Sequence, residues 1–88
     1  MSVKSKRHMA RVAELGCVIC EKCGLGCSPA EVHHLFDGAA RSDFLVAPLC
    51  PTHHRGALGF HGLGQRAFER KYKTSEAELL ALTLERLA

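Results

Sequence analysis

Apolar and polar positions in the N-terminal part of the chain follow the spacing of a helix. Over residues 9–15 the apolar side chains recur within each helical turn, and Gly16 follows directly. This pattern predicts a short helix that ends at the glycine. Residues 1–11 contain four basic side chains and no acidic one. They predict a basic arm in front of a single domain over residues 12–88.

The middle of the chain predicts a loop and two strands. Residues 21–29 are rich in glycine, serine and proline, a composition that favours a loop. Residues 31–36 and 44–49 are short segments next to loop-like stretches and predict two strands. The strands would be joined by a second loop over residues 37–42.

The C-terminal part predicts helical segments separated by glycines. Pro51 can open a helix as its first residue, and the glycines after it weaken or break that helix: Gly56, Gly59, Gly62 and Gly64. Residues 65–73 place two aromatic side chains four apart on one face. Ser75 and Glu78 form a capping box that opens a last helix. The apolar stripe of this helix is expected to lie in the core: Leu80, Leu84 and Leu87, widened by Leu79 and Leu82.

Composition narrows the class of protein. The chain has 88 residues, including 5 Cys and 6 His, and its formal net charge is +3. One small domain fits this length, and its limited core favours a metal or disulfide staple. No apolar run approaches the ~20 residues of a membrane helix, and the charged start is not followed by the apolar core of a signal peptide. We therefore expect a cytoplasmic protein without membrane contact, whose thiols stay reduced and serve as metal ligands.

The cysteines and histidines fall into two sets by their spacing. Two pairs supply the four ligands of a tetrahedral structural zinc site: Cys17 with Cys20, and Cys50 with His53. On a helix His53 and His54 point about 100° apart, so His54 is free for another site. A surplus of histidines remains beside the complete zinc site: His33, His34, His54 and His61. Because adjacent strand residues point to opposite faces, His33 and His34 are expected to do different work.

Three motifs together resemble the HNH nucleases. They are Cys17-x2-Cys20, Glu31-Val32-His33-His34-Leu35 and Pro48-Leu49-Cys50-Pro51-Thr52-His53-His54-Arg55-Gly56. The run Gly59-Phe60-His61-Gly62 and the Leu-rich final helix look most like the phage recombination-enhancement (Ref-type) nucleases. The resemblance implies an α+β fold, a small zinc-stapled treble-clef ββα-metal domain with additional N- and C-terminal helices.

The resemblance also implies an activity and a role for each matching residue. The activity is metal-dependent hydrolysis of DNA phosphodiester bonds in phage or prophage recombination, with a RecA-type recombinase filament as a partner. His34 matches the general base, and three histidines match the ligands of a catalytic Mg²⁺, Mn²⁺ or Zn²⁺ ion: His33, His54 and His61. The middle position of the family pattern falls near Asp43 or Leu45, and Asp43 is the better candidate.

Basic side chains supply candidate contacts to DNA phosphates. They are Lys4, Lys6, Arg7 and Arg11 in the arm, and Arg55 beside the second zinc pair. A solvated, fraying arm and a solvent-facing Arg55 are the structural alternatives.

Two other functions fit parts of the sequence. A zinc-stabilised module that binds DNA without cutting it would need neither His34 nor a second metal. An iron–sulfur protein is suggested by the spacing of four cysteines: Cys17, Cys20, Cys23 and Cys27. Cys50, which precedes a proline, could supply a remote ligand, but Ser28 stands where the run itself needs a proline.

Overall fold

Two antiparallel strands, β1 (Glu31–His34) and β2 (Val46–Leu49), form the sheet of this small α+β fold. The computed structural model describes residues 2–38 and 41–88. Three residues of the predicted arm and loop lie outside the described ranges: Met1, Ala39 and Ala40.

Both strands are shorter than the sequence pattern predicts. The first strand stops before residue 36, because Phe36 adopts a left-handed backbone with a φ of 56°. One further backbone bond extends the pairing, from the Leu35 amide to the Leu45 carbonyl at 2.8 Å. The second strand begins at Val46, since the residues before it form a turn in which the Leu45 amide donates to the Ser42 carbonyl.

The N-terminal segment forms one continuous helix, α1 (Val3–Glu14). The predicted helix start at residue 9 is therefore too late, and the predicted boundary after residue 11 falls inside the helix. Ser2 caps its N-terminus, because its hydroxyl accepts a hydrogen bond from the Ser5 amide at 3.1 Å. No proline or glycine interrupts the segment, and Ser5 and Val12 are buried on its inner face.

Short helices surround the sheet and carry most of the candidate residues. Helix α2 (Val18–Lys22) occupies the start of the predicted loop, so that the loop begins at Cys23. Helix α3 (Pro51–His54) begins at the predicted proline and ends before the glycines. The glycine-rich stretch forms one further turn, α4 (Phe60–Leu63), and the predicted aromatic segment forms α5 (Gln65–Tyr72).

The last helix, α6 (Glu76–Leu87), begins where the capping box predicts, although only half of the box forms. The Ser75 hydroxyl accepts a hydrogen bond from the Glu78 amide at 3.1 Å. The Glu78 carboxylate pairs with Lys22 of α2. The cap therefore also joins α6 to α2.

The buried face of α6 differs from the predicted leucine stripe. Leu79 and Thr83 are fully buried, whereas Leu84 is 48% exposed. Thr83 can lie in the core because its hydroxyl donates to the Leu79 carbonyl at 2.7 Å. The expectation that Leu84 belongs to the core is therefore wrong, because a threonine fills that place.

The core lies between the sheet and the helices. Its largest fully buried side chains are Phe68, Ile19, Leu35, Leu49 and Leu79. Arg86 of α6 holds the end of α1, because its guanidinium donates to the carbonyls of Leu15 and Gly16 and pairs with Glu21. In the described part of the chain, no helix has both the length and the apolar character needed to cross a membrane.

Gly59 allows the backbone before α4 to pack directly against the backbone of α3. A Cβ atom at Gly59 would lie 2.6 Å from the Thr52 carbonyl oxygen and 2.7 Å from the His53 carbonyl carbon. This approach brings α4 onto α3, where the rings of His61 and His54 lie 4.9 Å apart between centroids. The backbone at Gly59 thus sets the distance between two candidate metal ligands.

We predict that Gly59→Ala lowers the stability of the fold, because the added methyl group has to displace backbone atoms. Overpacking of this kind costs about 1–3 kcal/mol, and each kcal/mol shifts the Tm of a domain this size by about 4–8 °C. Gly38→Ala is the matched control, since open space surrounds Gly38. Thermal melts followed by circular dichroism compare the two variants. Equal melting temperatures would contradict the close packing of α4 on α3.

Candidate functional site

The first candidate site joins two segments that lie far apart in the sequence. Cys17 is the N-cap of α2 and Cys20 lies in its first turn. Cys50 is the N-cap of α3 and His53 lies within it. All four side chains are buried, and their ligand atoms lie within 4.8 Å of one another. We call this group the cysteine site.

Four of the six ligand-atom separations in the cysteine site are close to the edges of a coordination tetrahedron. Sγ of Cys20 lies 3.8 Å from Sγ of Cys50, and the three sulfurs lie 3.2–3.6 Å from Nδ1 of His53. Metal–sulfur bonds of ~2.3 Å and metal–nitrogen bonds of ~2.0 Å give tetrahedral edges of about 3.8 and 3.5 Å. The cysteine site could therefore hold a metal ion.

Burial changes the protonation of two members of the cysteine site, Cys17 and His53. Desolvation raises the pKa of the Cys17 thiol well above its usual range and lowers the pKa of His53. A neutral His53 is the form that binds a metal, and a bound cation would stabilise the Cys17 thiolate, which burial alone disfavours. The Cys20 amide also donates to Cys17 Sγ at 3.4 Å, a contact that favours the thiolate. The donor set thus fits a cation.

A second group comes from β1, α3 and α4, and we call it the histidine site: His33, His54 and His61. Their ligand atoms lie within 4.8 Å of one another. His33 is only 3% exposed, and its Nε2 atom has no hydrogen-bond partner in the described part of the chain. Burial first, and then the neighbouring histidines, lower the pKa of His33 to about 4. A neutral, buried imidazole with an unpartnered nitrogen fits a metal ligand.

Glu31 orients one of these ligands, a role for which the sequence gives no motif. Its Oε1 accepts a hydrogen bond from Nδ1 of His54 at 2.9 Å, which leaves the His54 lone pair on Nε2. Arg55 donates hydrogen bonds to the same carboxylate, from Nε to Oε1 at 2.9 Å and from Nη2 to Oε2 at 2.6 Å. Arg55 first, and then His54, lower the pKa of Glu31 to about 2. Arg55, predicted as a phosphate contact, therefore pairs with Glu31 in this structure.

His34, the residue after His33 on β1, has a separate partner. Its Nε2 lies 2.9 Å from Oδ1 of Asp43. Because a carboxylate only accepts, His34 donates from Nε2 and keeps its lone pair on Nδ1. The two side chains are 19% and 31% exposed, so solvent reaches the pair. Of the two candidates for the middle position of the motif, Asp43 is the one whose side chain is bonded to His34.

One cleft of about 230 Å³ connects His34 with the histidine site. Its lining residues are Val32, His33, His34, Asp37, Arg41, His54 and His61. Arg41 places a cation in this cleft that no sequence motif predicts. Its guanidinium lies 3.0 Å from the Asp37 carboxylate. Nothing in the residues around Arg41 marks it as functional. It reaches the cleft only because the segment between the strands brings it there.

The predicted phosphate contacts of the N-terminal segment lie on α1. Their side chains are exposed: Lys4, Lys6, Arg7 and Arg11. Arg11 also donates to the Leu87 carbonyl at 3.3 Å. Three of these residues have the spacing that places side chains on one face of the helix: Lys4, Arg7 and Arg11.

The cysteines with iron–sulfur spacing do not come together. Cys17 and Cys20 meet Cys50 across the cysteine site. Cys23 and Cys27 are exposed, and within residues 2–38 and 41–88 they join no group of potential metal ligands. The geometry therefore gives no support to a four-cysteine cluster.

Comparison with protein families finds a match along nearly the whole chain. The family described as recombination enhancement, RecA-dependent nuclease, matches residues 2–88. No curated protein and no solved structure gives a significant match. The family match agrees with the resemblance to Ref-type nucleases. The chain belongs to the family of RecA-dependent nucleases of recombination enhancement.

Proposed function

We propose that this protein is a metal-dependent DNA endonuclease of the HNH type that acts in recombination. One observation carries the proposal: a single cleft contains the three converging side chains of the histidine site beside the His34–Asp43 pair. A Lewis-acid site and a base in one cleft are what phosphodiester hydrolysis needs. In this proposal the sheet, α3 and the cysteine site correspond to a treble-clef ββα-metal core.

His34 is the general base of the proposed reaction. The lone pair on its Nδ1 takes a proton from the attacking water, while Nε2–H stays bonded to Asp43. Asp43 fixes the orientation of the ring and stabilises the imidazolium that forms. His33, His54 and His61 would hold a Mg²⁺, Mn²⁺ or Zn²⁺ ion, whose Lewis acidity would stabilise the charge on the 3′-oxygen as its bond to phosphorus breaks.

The cysteine site is proposed to hold a structural zinc ion. Three thiolates and one imidazole are a common donor set of structural zinc sites. All four positions are filled by protein atoms, which leaves no open position for a substrate. Zinc here would therefore stabilise the fold rather than take part in hydrolysis.

DNA and a RecA-type recombinase filament are the proposed partners, and the reaction would take place in the cytoplasm of a bacterial host. The exposed basic side chains of α1 would contact phosphates: Lys4, Lys6, Arg7 and Arg11. Arg41 lies in the cleft and would reach the phosphate nearest the reaction. Arg55 can add a phosphate contact with the exposed part of its side chain while it holds Glu31.

We predict that His34→Ala lowers DNA cleavage by about 100- to 10,000-fold, the usual contribution of a general base. Plasmid and single-stranded DNA are incubated with Mg²⁺, Mn²⁺ or Zn²⁺, with and without a RecA filament. Cys23→Ser is the control, because Cys23 is exposed and lies outside both sites. No cleavage by the natural chain under any condition would instead favour the DNA-binding module that does not cut.

We predict that Cys50→Ser unfolds the domain whereas His34→Ala leaves it folded. The first substitution removes a ligand from the cysteine site, and structural zinc contributes ~10–16 kcal/mol of apparent binding free energy in small zinc domains. Metal content by elemental analysis and circular dichroism of both variants give the measurement. Removal of zinc from the natural chain by a chelator should reproduce the Cys50→Ser spectrum. Equal melting temperatures for the two variants would count against separate structural and catalytic sites.

We predict that Glu31→Gln weakens metal binding at the histidine site by about 10- to 100-fold, because the charged partner that orients His54 is lost. Calorimetric titration with Mn²⁺ of protein that retains its zinc measures the effect. Glu78→Gln is the matched control, since this carboxylate pairs with Lys22 outside the cleft. Unchanged Mn²⁺ affinity in Glu31→Gln would show that Glu31 serves only the fold.

A further inference from the structure

An exposed aromatic residue directly follows Asp43, a member of the proposed catalytic pair, in the chain. The hydrophobic side chains that are largely exposed in the described residues are Val3, Leu25, Phe44, Leu58 and Leu84. Phe44 is the aromatic member of this set, and it is 47% exposed. It directly follows Asp43, whose carboxylate lies 2.9 Å from His34. The ring is therefore attached one residue away from the proposed catalytic pair.

The position of Phe44 is fixed from two sides. Its amide donates to the Ser42 hydroxyl at 3.2 Å, and the Leu45 amide donates to the Ser42 carbonyl at 3.1 Å. These bonds hold the turn that carries the ring. On its other side Phe44 contacts His8 of α1, with ring centroids 5.2 Å apart and planes tilted by 39°. The ring is thus pre-organised, although nearly half of it faces solvent.

His8 connects Phe44 with the basic face of α1. Residues three and four apart on a helix are surface neighbours, so His8 adjoins both Lys4 and Arg11. Arg7 lies on the same face. The exposed cations of α1 therefore adjoin His8, His8 contacts Phe44, and Phe44 follows Asp43, the partner of His34. We call this series of residues the strip.

We propose that Phe44 is a stacking platform for an unpaired base next to the cleaved phosphate, so that the strip binds single-stranded DNA. The inference rests on the proposed function. Cations that follow the backbone, together with an aromatic ring that stacks on a base, are the two parts of a single-strand binding surface. In a duplex the bases are paired and stacked on each other, so Phe44 favours DNA whose bases are free. The ring would act on substrate choice, while His34 acts on the chemistry.

The test measures binding of a short single-stranded oligonucleotide that contains 2-aminopurine. Stacking on Phe44 quenches this fluorescent base. Phe44→Ala is expected to weaken binding by about 5- to 100-fold and to remove the quenching. Phe44→Tyr, which keeps the ring, should bind and quench like the natural chain. Leu84→Ala is the matched control, because it removes a similarly exposed apolar side chain from α6. Circular dichroism of each variant shows that the fold is retained.

Three outcomes would overturn the proposal. The first is that Phe44→Ala binds the oligonucleotide and quenches its fluorescence as the natural chain does. The second is an equal loss of affinity for single-stranded and duplex oligonucleotides, since stacking on a free base requires a selective loss. The third is Phe44→Tyr that behaves like Phe44→Ala. Binding is measured without cleavage, so the two proposals can fail separately. If the natural chain cuts no DNA but Phe44→Ala still removes the quenching, only the nuclease proposal is refuted.

Discussion

Four buried ligand atoms that could hold a cation form the constraint on which the rest of the structure depends. Cys17 and Cys20 begin α2, and Cys50 and His53 begin α3, thirty residues or more away. Three buried thiols and an imidazole contribute little cohesion by themselves, since the thiol is a weak hydrogen-bond donor. A shared ion would make the same four groups a strong link in a domain whose size limits its core.

The same short helix serves both candidate sites. His53 and His54 are consecutive in α3, and the ~100° between successive helical side chains directs one into the cysteine site and the other into the histidine site. Whatever fixes α3 against α2 therefore also fixes His54 relative to His33 on the sheet. Gly59 completes the arrangement, because it lets α4 bring His61 close to His54. The position of the histidine site is thus a consequence of how the cysteine site holds α3.

Features that local periodicity sets can be predicted from the sequence, whereas features that depend on the tertiary fold cannot. The separation of His53 from His54 is a result of helical geometry, and that of His33 from His34 is a result of strand geometry. Glu31 gives no such signal, because its partners lie 23 and 24 residues away. Leu84 is exposed and Thr83 is buried for a related reason. A hydrophobic pattern counts threonine as polar, whereas the backbone carbonyl of Leu79 satisfies its hydroxyl.

A metal-bound cysteine site would offset unfavourable contacts in the histidine site. A buried polar atom without a partner costs about 1–3 kcal/mol, and among residues 2–38 and 41–88 Nε2 of His33 has no partner. Clustered imidazoles repel one another when more than one of them is protonated, which, after burial, is part of why the pKa of His33 falls to about 4. These costs are large for a small core, yet small beside the ~10–16 kcal/mol of a structural zinc site. A structural metal ion in the cysteine site would therefore allow the neutral imidazole of His33 to remain available for a second cation.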